Sequence, residues 1–264
     1  MDVITIGTEN NGYYDILKQS CKKNDINLIN LGQGKQWTGF IMRFELLNKY
    51  LENVDDKQIV LFIDAYDVIV LKDKSEIIKK FKKFNKNIVF GNQSGFFPNL
   101  TFYNCKGNVY NAGSYIGYAK YIKQLLNIIY NKDIIKKVNN DDQQLLNYCC
   151  NNNKIFFTEN TTCDVNNDIF YITSADTYFD LNYLIFGKLN IPDNTCILHL
   201  AGNINGNNYL KNIGYDITKV NNINFSFKLK QAININKKFS FIIFLFIIFI
   251  LYIIFKLINQ SLFF

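Results

Sequence analysis

Two carboxylates, Asp64 and Asp67, interrupt an apolar segment that otherwise has the composition of a buried strand. The segment reads VLFIDAYDVIV from residue 60 to residue 70, and Tyr66 lies between the two acids. An unpaired carboxylate in an apolar interior is so costly that such groups are normally paired, neutralised or bound to a metal ion. Mg²⁺ and Mn²⁺ take one or two protein carboxylates and complete their shell with water and substrate phosphates. The pattern indicates a divalent-cation site, and an acidic turn leading into the next element explains it equally well.

His199 is the one histidine of the chain, and it ends the last apolar strand candidate, TCILHL, at residues 195–200. An imidazole is a ligand for Mn²⁺ as well as for zinc. A lone histidine in an apolar strand is more often a core residue than a ligand. Its place at the same kind of strand end as Asp64 favours the ligand interpretation, and Gly202 shortly after it allows backbone to approach a bound molecule.

Two further segments carry polar residues that could serve a reaction. Asp141 and Asp142 open a helix candidate, DDQQLLNYCC, at residues 141–150. Acids in a first turn interact favourably with the helix dipole, which is a sufficient structural explanation, and the functional one is that one of them orients or deprotonates an acceptor hydroxyl. The segment YNAGSYIGYA has too many small residues for a plain helix, and at Asn111 and Gly113 the backbone could pass close to a sugar.

Strand and helix patterns alternate along the first third of the chain. Strand candidates are residues 3–7, 26–31, 59–63 and 87–91, and helix candidates run to about residue 23, from 40 to 51, and from a Ser75 cap to about 84. This alternation predicts a parallel sheet with helices on both faces, in which ligands bind beyond the carboxyl ends of the strands. Asp64 and Asp67 follow the third strand directly and are therefore expected at that edge.

Composition limits the class of protein. A chain of 264 residues with 48% hydrophobic content is long enough for one large α/β domain. The formal charge of +7 comes from lysines on presumed helix faces and near the C-terminus, and since no nucleic-acid-binding motif accompanies them, nucleic acid is not an expected partner. The six cysteines form neither a CxxC pair nor a regular framework, so free buried thiols are expected.

The C-terminal part contains a long apolar run. Residues 239–255 carry no charge, and Leu257 and Ile258 continue the run. At about 1.5 Å per residue a helix here covers roughly 26–30 Å, which is the thickness of a bilayer's hydrocarbon core. We predict a transmembrane tail anchor at residues 239–258, joined by an irregular connection, 211–238. We expect no secretory leader at the N-terminus, and the lysines before the run predict a cytoplasmic location for the N-terminal part. The alternative is a helix buried in a core.

Six segments in this order resemble the glycosyltransferase domain of the procollagen lysyl hydroxylase/glycosyltransferase proteins and related GT-A enzymes. They are VITIGTEN, LGQGKQW, VLFIDAYDVIV, YNAGSYIGYA, NDDQQLL and ILHLAGN. The resemblance covers residues 1–210 and implies an α/β fold of GT-A type, a Rossmann-like nucleotide-diphospho-sugar transferase with a mixed sheet flanked by helices. The dioxygenase domain of that family is not expected within this length, so no hydroxylase activity is inferred.

The resemblance also implies roles for individual residues. Asp64, Asp67 and His199 would coordinate Mn²⁺ or Mg²⁺. Tyr66 would stack on uracil, and Thr8 would contact the uridine. The remaining candidates are Asn111, Asp141 and Asp142 around the donor sugar and acceptor, and Gly202 and Asn203 on the side of the UDP-sugar cofactor.

Together these observations predict a metal-dependent hexosyltransferase tethered to a membrane. It would move glucose or galactose from UDP-glucose or UDP-galactose to a hydroxyl acceptor on a protein or glycan. One alternative is a nucleotidyltransferase on a similar sheet, which also uses paired aspartates and a divalent ion. The other is a non-catalytic, membrane-tethered protein that binds nucleotide sugars.

Overall fold

The computed structural model describes residues 1–218 and 220. Within these residues there are nine strands, ten α-helices and two 3-10 helices. The strands are β1 Asp2–Thr5, β2 Leu28–Asn30, β3 Ile59–Ile63, β4 Val68–Val70, β5 Ile88–Asn92, β6 Tyr110–Tyr118, β7 Thr161–Asp164, β8 Phe170–Ile172 and β9 Ile197–His199. The α-helices are α1 Tyr14–Lys23, α2 Ile41–Leu51, α3 Lys74–Lys83, α4 Phe96–Thr101, α5 Ala119–Ile129, α6 Lys132–Lys137, α7 Asp142–Asn152, α8 Lys154–Asn160, α9 Leu181–Phe186 and α10 Asn207–Asn212. The 3-10 helices are Ala175–Phe179 and Ala201–Asn203.

The main sheet has six strands in the order β2-β1-β3-β6-β5-β7. Strands β1, β2 and β3 are parallel, as the alternating pattern predicts, but β6 runs antiparallel to both β3 and β5. The prediction of a parallel sheet is therefore wrong at β6, and the sheet is mixed, as the GT-A resemblance implies. An antiparallel neighbour needs no long helical crossover, and β5 and β6 are joined through the short helix α4 alone.

A second sheet of three strands, β4-β9-β8, brings the acidic turn at residues 64–67 close to His199. The chain leaves the main sheet after Ile63, makes the acidic turn and enters β4 at Val68. Strand β4 pairs with β9 so that Val68 lies opposite His199. This pairing places the histidine beside a turn more than 130 residues earlier in the chain.

Apolar side chains from the helices cover both faces of the main sheet. Leu47 and Leu51 of α2 pack with α5 and α7 on one face. Leu17 of α1 packs with Ile77 and Phe81 of α3 on the other. These residues recur at helical spacing in the sequence, which gives each helix one apolar face that packs on the sheet.

The start of α3 differs from the prediction. The cap is Asp73, whose carboxylate accepts a hydrogen bond from the Glu76 backbone N–H at 2.9 Å, and not Ser75. The Ser75 hydroxyl instead donates to the same carboxylate at 2.6 Å. Both residue types are good caps, and the aspartate stands at the position that reaches the free N–H.

The prediction of free thiols is wrong for two cysteines. Cys105 and Cys150 form a disulfide that ties the loop before β6 to α7 across 45 residues of sequence. The prediction is confirmed for the other four, which are buried and free: Cys21, Cys149, Cys163 and Cys196. Spacing alone misses the bond because the two cysteines become neighbours only when the loop packs on the helix.

Packed structure continues past residue 210. Helix α10 ends at Asn212, and Tyr215, Ile217 and Val220 pack against the core around β9. No helix of the described part of the chain is long and apolar enough to cross a bilayer. The predicted span at 239–258 lies outside the described residues, as does most of the predicted connection.

Candidate active site

The structure brings Asp64, Asp67 and His199 into one group. One donor atom from each residue lies within 4.8 Å of the others. The His199 Nε2 atom is 3.3 Å from Asp67 Oδ1 and 3.7 Å from Asp64 Oδ2. His199 is buried, whereas both aspartates are half-buried. Two carboxylate oxygens and one imidazole nitrogen, open to solvent on the acidic side, suit a divalent cation that keeps positions for other ligands.

A hydrogen bond from the main sheet orients the histidine. The Ser114 hydroxyl lies 2.9 Å from His199 Nδ1, and both side chains are buried. With Nδ1 engaged, Nε2 is the nitrogen that faces the two carboxylates. Metal-binding histidines are commonly fixed in this way through their second nitrogen. Ser114 stands among the small residues of β6 and was not singled out from the sequence.

In the group of Asp64, Asp67 and His199, the charges of neighbouring side chains shift the pKa of Asp67 and the pKa of His199. Burial works against ionisation of Asp67, but the facing His199 and its hydrogen bond outweigh that effect and lower the pKa of the carboxyl. For His199, burial lowers the pKa, and the attraction of Asp67 and then Asp64 overcomes it, so that the pKa of the imidazole is raised. Each charge is therefore stabilised chiefly by its neighbours in the site.

Arg43 connects this group to helix α7. Its guanidinium forms ion pairs with Asp64 and with Asp142, and the side chain is buried. Burial lowers the pKa of Arg43, but the charges of Asp142 and Asp64 more than compensate and raise it. A planar guanidinium can hold two carboxylates at once, which an ammonium group does less well.

The sequence contains a signal for Arg43 that the motif analysis missed. It is the only arginine of the chain, and lysine supplies the other 28 cationic side chains. In a composition so biased towards lysine, a single arginine points to a position that needs the fork geometry of the guanidinium.

Negative charge exceeds positive charge around Arg43. Asp142 is 3% exposed, and burial raises its pKa to about 7, with Arg43 offsetting only part of that effect. One guanidinium is shared by two carboxylates, and Asp67 and Asp141 lie nearby. An excess of buried acids together with an oxygen and nitrogen donor set fits Mn²⁺ or Mg²⁺.

Asp141 and Asp142 have different environments although they are adjacent. The Asp141 carboxylate caps α7 by accepting a hydrogen bond from the Gln144 backbone N–H at 2.8 Å. Burial raises the pKa of Asp141 as well. The helix-capping explanation therefore accounts for Asp141, whereas Asp142 faces Arg43 and is joined through it to Asp64.

Strand β6 passes directly behind Asp64. The Asp64 backbone N–H donates to the Gly113 carbonyl at 2.8 Å, and a Cβ atom on Gly113 would overlap the Asp64 carboxylate. Asn111, which is 3% exposed, donates to Gln93 at 2.7 Å and to Gln143 at 3.2 Å. The small residue at 113 thus makes room for the acid, and Asn111 belongs to a buried amide cluster next to it.

The loop after β1 is tied to the acidic turn through Tyr66. Its hydroxyl accepts hydrogen bonds from the backbone N–H groups of Thr8 at 2.8 Å and Glu9 at 3.1 Å. The Tyr66 carbonyl also accepts from the Tyr13 backbone N–H at 2.7 Å. Thr8 and Tyr66, which the resemblance assigns to the nucleotide, are therefore neighbours and half-buried.

The segment after His199 turns sharply. Gly202 has a φ of 74°, a left-handed conformation that glycine adopts without strain, within the 3-10 helix Ala201–Asn203. A Cβ atom on Gly202 would lie 3.4 Å from the Ala175 backbone nitrogen. This turn carries both residues that the resemblance assigns to the cofactor side, Gly202 and Asn203, and it packs against the 3-10 helix that begins at Ala175.

Comparison with known proteins gives one family and a set of curated relatives. A family model described as the PLOD GT domain matches residues 1–224. Procollagen-lysine,2-oxoglutarate 5-dioxygenase 2 of Mus musculus is 29% identical over 140 residues, which are 47% of this chain and 19% of that protein. The multifunctional procollagen lysine hydroxylase and glycosyltransferase of Caenorhabditis elegans is 28% identical over 144 residues, 48% of this chain and 20% of that protein. The chain spans about a fifth of the length of these relatives.

Two solved structures align with 76% of this chain. One is a glycosyltransferase involved in the glycosylation of the major capsid of PBCV-1, with 11% identity, a TM-score of 0.46 and 92% of its chain covered. The other is the galactosyltransferase LgtC in complex with donor and acceptor sugar analogs, with 12% identity, a TM-score of 0.46 and 87% of its chain covered.

Proposed function

Because the chain belongs to the family of PLOD GT domains and is thus a glycosyltransferase, we propose that it moves a hexose from a UDP-sugar to a hydroxyl group on a protein or glycan. UDP-glucose and UDP-galactose are the proposed donors. The observation that carries the proposal is the convergence of Asp64, Asp67 and His199 at the end of β3, with donor atoms within 4.8 Å of one another. Ligands of α/β sheets bind at such strand ends.

The three residues would hold Mn²⁺ or Mg²⁺. A bound divalent ion would supply Lewis-acid stabilisation of the charge that builds on the departing diphosphate. Ser114 keeps the His199 ring turned so that Nε2 is presented to the site. Arg43 holds the Asp64 carboxylate in place and ties it to the start of α7.

The remaining candidates divide between donor and acceptor. Thr8 and Tyr66, joined by hydrogen bonds, are proposed to bind the uridine, with the Tyr66 ring against the base. Gly202 and Asn203 are proposed to lie beside the diphosphate. Asp142 is proposed to orient or deprotonate the acceptor hydroxyl, because a carboxyl group with a pKa of about 7 exchanges protons readily at neutral pH. Asp141 and Asn111 are proposed to position this region.

We also propose that residues 239–258 tether the domain to a membrane. The support is the uncharged apolar run at 239–255, which has the length of a bilayer span. The lysines that precede the run favour a cytoplasmic location for the domain at residues 1–210.

The proposed reaction is tested by measuring UDP release from a panel of UDP-sugars by the full chain in detergent, with Mn²⁺ and with EDTA. Release that requires the metal and falls by orders of magnitude in Asp64→Asn and Asp67→Asn is expected. Asp133→Asn, an exposed acid on α6, is the matched control and should retain full activity. His199→Ala should raise the Mn²⁺ concentration needed for half-maximal release.

Other outcomes identify the alternatives. Release of pyrophosphate from UTP and a sugar 1-phosphate, with no UDP released from any UDP-sugar, would make the chain a nucleotidyltransferase. A rise in melting temperature with UDP and Mn²⁺ but no turnover with any donor would indicate a protein that binds nucleotide sugars without transferring them. Near-normal UDP release by Asp64→Asn would remove Asp64 from the metal site.

A further inference from the structure

A large apolar surface lies outside the candidate active site. It is formed by α4, the 3-10 helix Ala175–Phe179 and α9, and we name it the α4–α9 surface. Its large apolar side chains are each 63–70% exposed; they are Phe96, Leu100, Phe179, Leu181, Leu184, Ile185 and Phe186. A soluble monomer rarely exposes so many large apolar groups in one region, and such patches mark interaction sites.

The three segments are held together as one unit. The rings of Phe97 and Phe179 stack with centroids 5.1 Å apart, which joins α4 to the 3-10 helix. The Phe97 backbone N–H also donates to the Asp176 carboxylate at 3.1 Å. On the other side, the rings of Tyr178 and Tyr183 meet edge to face at 5.9 Å, which joins the 3-10 helix to α9. The exposed side chains are therefore carried by packed helices.

The chemistry of this surface matches a lipid interface. Residues 93–105 contain no charged side chain, and residues 175–187 contain two acids, Asp180 and the Asp176 that is hydrogen-bonded to α4. The Asp180 carboxylate caps α9 by accepting from the backbone N–H groups of Asn182 at 2.8 Å and Tyr183 at 3.2 Å. A protein partner is normally met with a polar rim, whereas surfaces that enter the headgroup region combine phenylalanine and leucine with few acids.

The sequence places a bilayer within reach of this surface. Eighteen residues separate Val220 from the apolar run at 239–255, and a fully extended chain of that length spans at most about 65 Å. This step rests on the proposed membrane tether. A tethered domain meets the bilayer at high effective concentration, so that a contact too weak to hold a free domain becomes populated.

We propose that the α4–α9 surface is a lipid-contacting face that inserts its phenylalanine and leucine side chains into the interfacial region of a bilayer. The 3-10 helix of this surface packs against Gly202, three residues after His199. The contact therefore orients the candidate active site close to the membrane, and the substrate class it fits is an acceptor attached to the same membrane.

Depth-dependent quenching of a single tryptophan in the full chain tests the proposal. Trp37 is the only tryptophan, so Trp37→Phe provides a silent background. Phe186→Trp places the probe on the α4–α9 surface. Ile155→Trp on α8, where Ile155 is 76% exposed, is the matched control. In vesicles of neutral and anionic phospholipid that contain a brominated lipid, the probe at 186 should be quenched several-fold more strongly than the probe at 155.

Each failure has its own signature. Vesicle flotation with equal quenching at 186 and 155 would overturn the lipid-contacting face and leave the tether intact. If the chain does not float with the vesicles, both the membrane tether and the lipid contact are wrong. UDP release measured in the same samples tests the transferase activity independently of either. A probe at 186 that is shielded from aqueous iodide in proportion to protein concentration, without quenching by brominated lipid, would show a contact between protein chains and overturn the proposal.

Discussion

Arg43 is the residue on which the arrangement of the buried carboxylates depends. It is buried, it pairs with Asp64 and Asp142, and its Nε atom has no hydrogen-bond partner among the described residues. Removing one partner from a buried ion pair leaves an uncompensated charge, which usually costs more than the intact pair contributes. The cost here would fall on two carboxylates at once.

Arg43→Met should therefore lower the free energy of unfolding by about 3–5 kcal/mol in EDTA at pH 8. The free energy of unfolding of Arg43→Lys should lie between those of Arg43→Met and the wild type. An ammonium group keeps the positive charge but lacks the planar geometry with which a guanidinium holds two carboxylates. Urea unfolding followed by circular dichroism measures both. Lys57→Met, an exposed cation, is the control. A loss below 1 kcal/mol for Arg43→Met would mean that the two acids do not need the guanidinium.

Asp142 should make stability depend on pH. Burial raises its pKa from an ordinary value of 3.8 to about 7, so between these values the folded state binds more protons than the unfolded state. The stabilisation is complete below the unfolded pKa and is lost as the pH rises through the folded pKa. With EDTA present, the unfolding free energy of Asp142→Asn should rise relative to the wild type between pH 4 and pH 7.

Urea titrations of both proteins at several pH values measure this difference. His199 also has a raised pKa and titrates in both proteins, so it cancels in the comparison. A difference between the two proteins that stays constant from pH 4 to pH 8 would show that Asp142 is ionised throughout.

At the level of elements, α7 is fixed at both ends. Its first turn carries Asp142 against Arg43, and near its other end Cys150 is bonded to Cys105 in the loop before β6. Strand β6 in turn places Gly113 and Ser114 behind the acidic turn. The position of the acids on α7 therefore depends on elements that the disulfide connects.

Reduction of the disulfide should lower the free energy of unfolding by about 4 kcal/mol, as loop-entropy arguments give for a bond that closes 45 residues. Thermal unfolding of the purified oxidised chain with and without dithiothreitol measures the loss. The double variant Cys105→Ala/Cys150→Ala should not respond to the reductant. Thiol titration of the unfolded, unreduced chain should find four free thiols, and six would contradict the bond.

For the whole molecule, the disulfide gives a test of the side of the membrane on which the domain lies. Thiols on the cytoplasmic side are kept reduced, whereas disulfides persist in oxidising compartments. The predicted cytoplasmic location therefore requires Cys105 and Cys150 to be reduced in cells. Alkylation during cell lysis followed by mass spectrometry distinguishes the two sides: both thiols modified would agree with the cytoplasmic location, and the oxidised pair of the structure would place the domain on the opposite side.

The sequence predicted much of the main sheet and the grouping of Asp64, Asp67 and His199, because local sequence patterns indicate both. Helical spacing in α2 and α3 and the apolar run of β3 identify their elements without reference to distant residues. The acidic turn and His199 each end a strand, and the carboxyl ends of strands are where α/β proteins bind ligands. The mixed sheet was predicted only by the resemblance to GT-A enzymes, because the alternation of strands and helices predicts a parallel sheet.

What the sequence determined by itself is thus the set of elements and the identity of Asp64, Asp67 and His199 as candidates. The tertiary structure decided which residues support them. Arg43 and Asp142 are 99 residues apart, Ser114 and His199 are 85 apart, and Cys105 and Cys150 are 45 apart. No periodicity or spacing encodes such pairs, because each forms only when the direction of β6 and the packing of α7 bring distant side chains into contact.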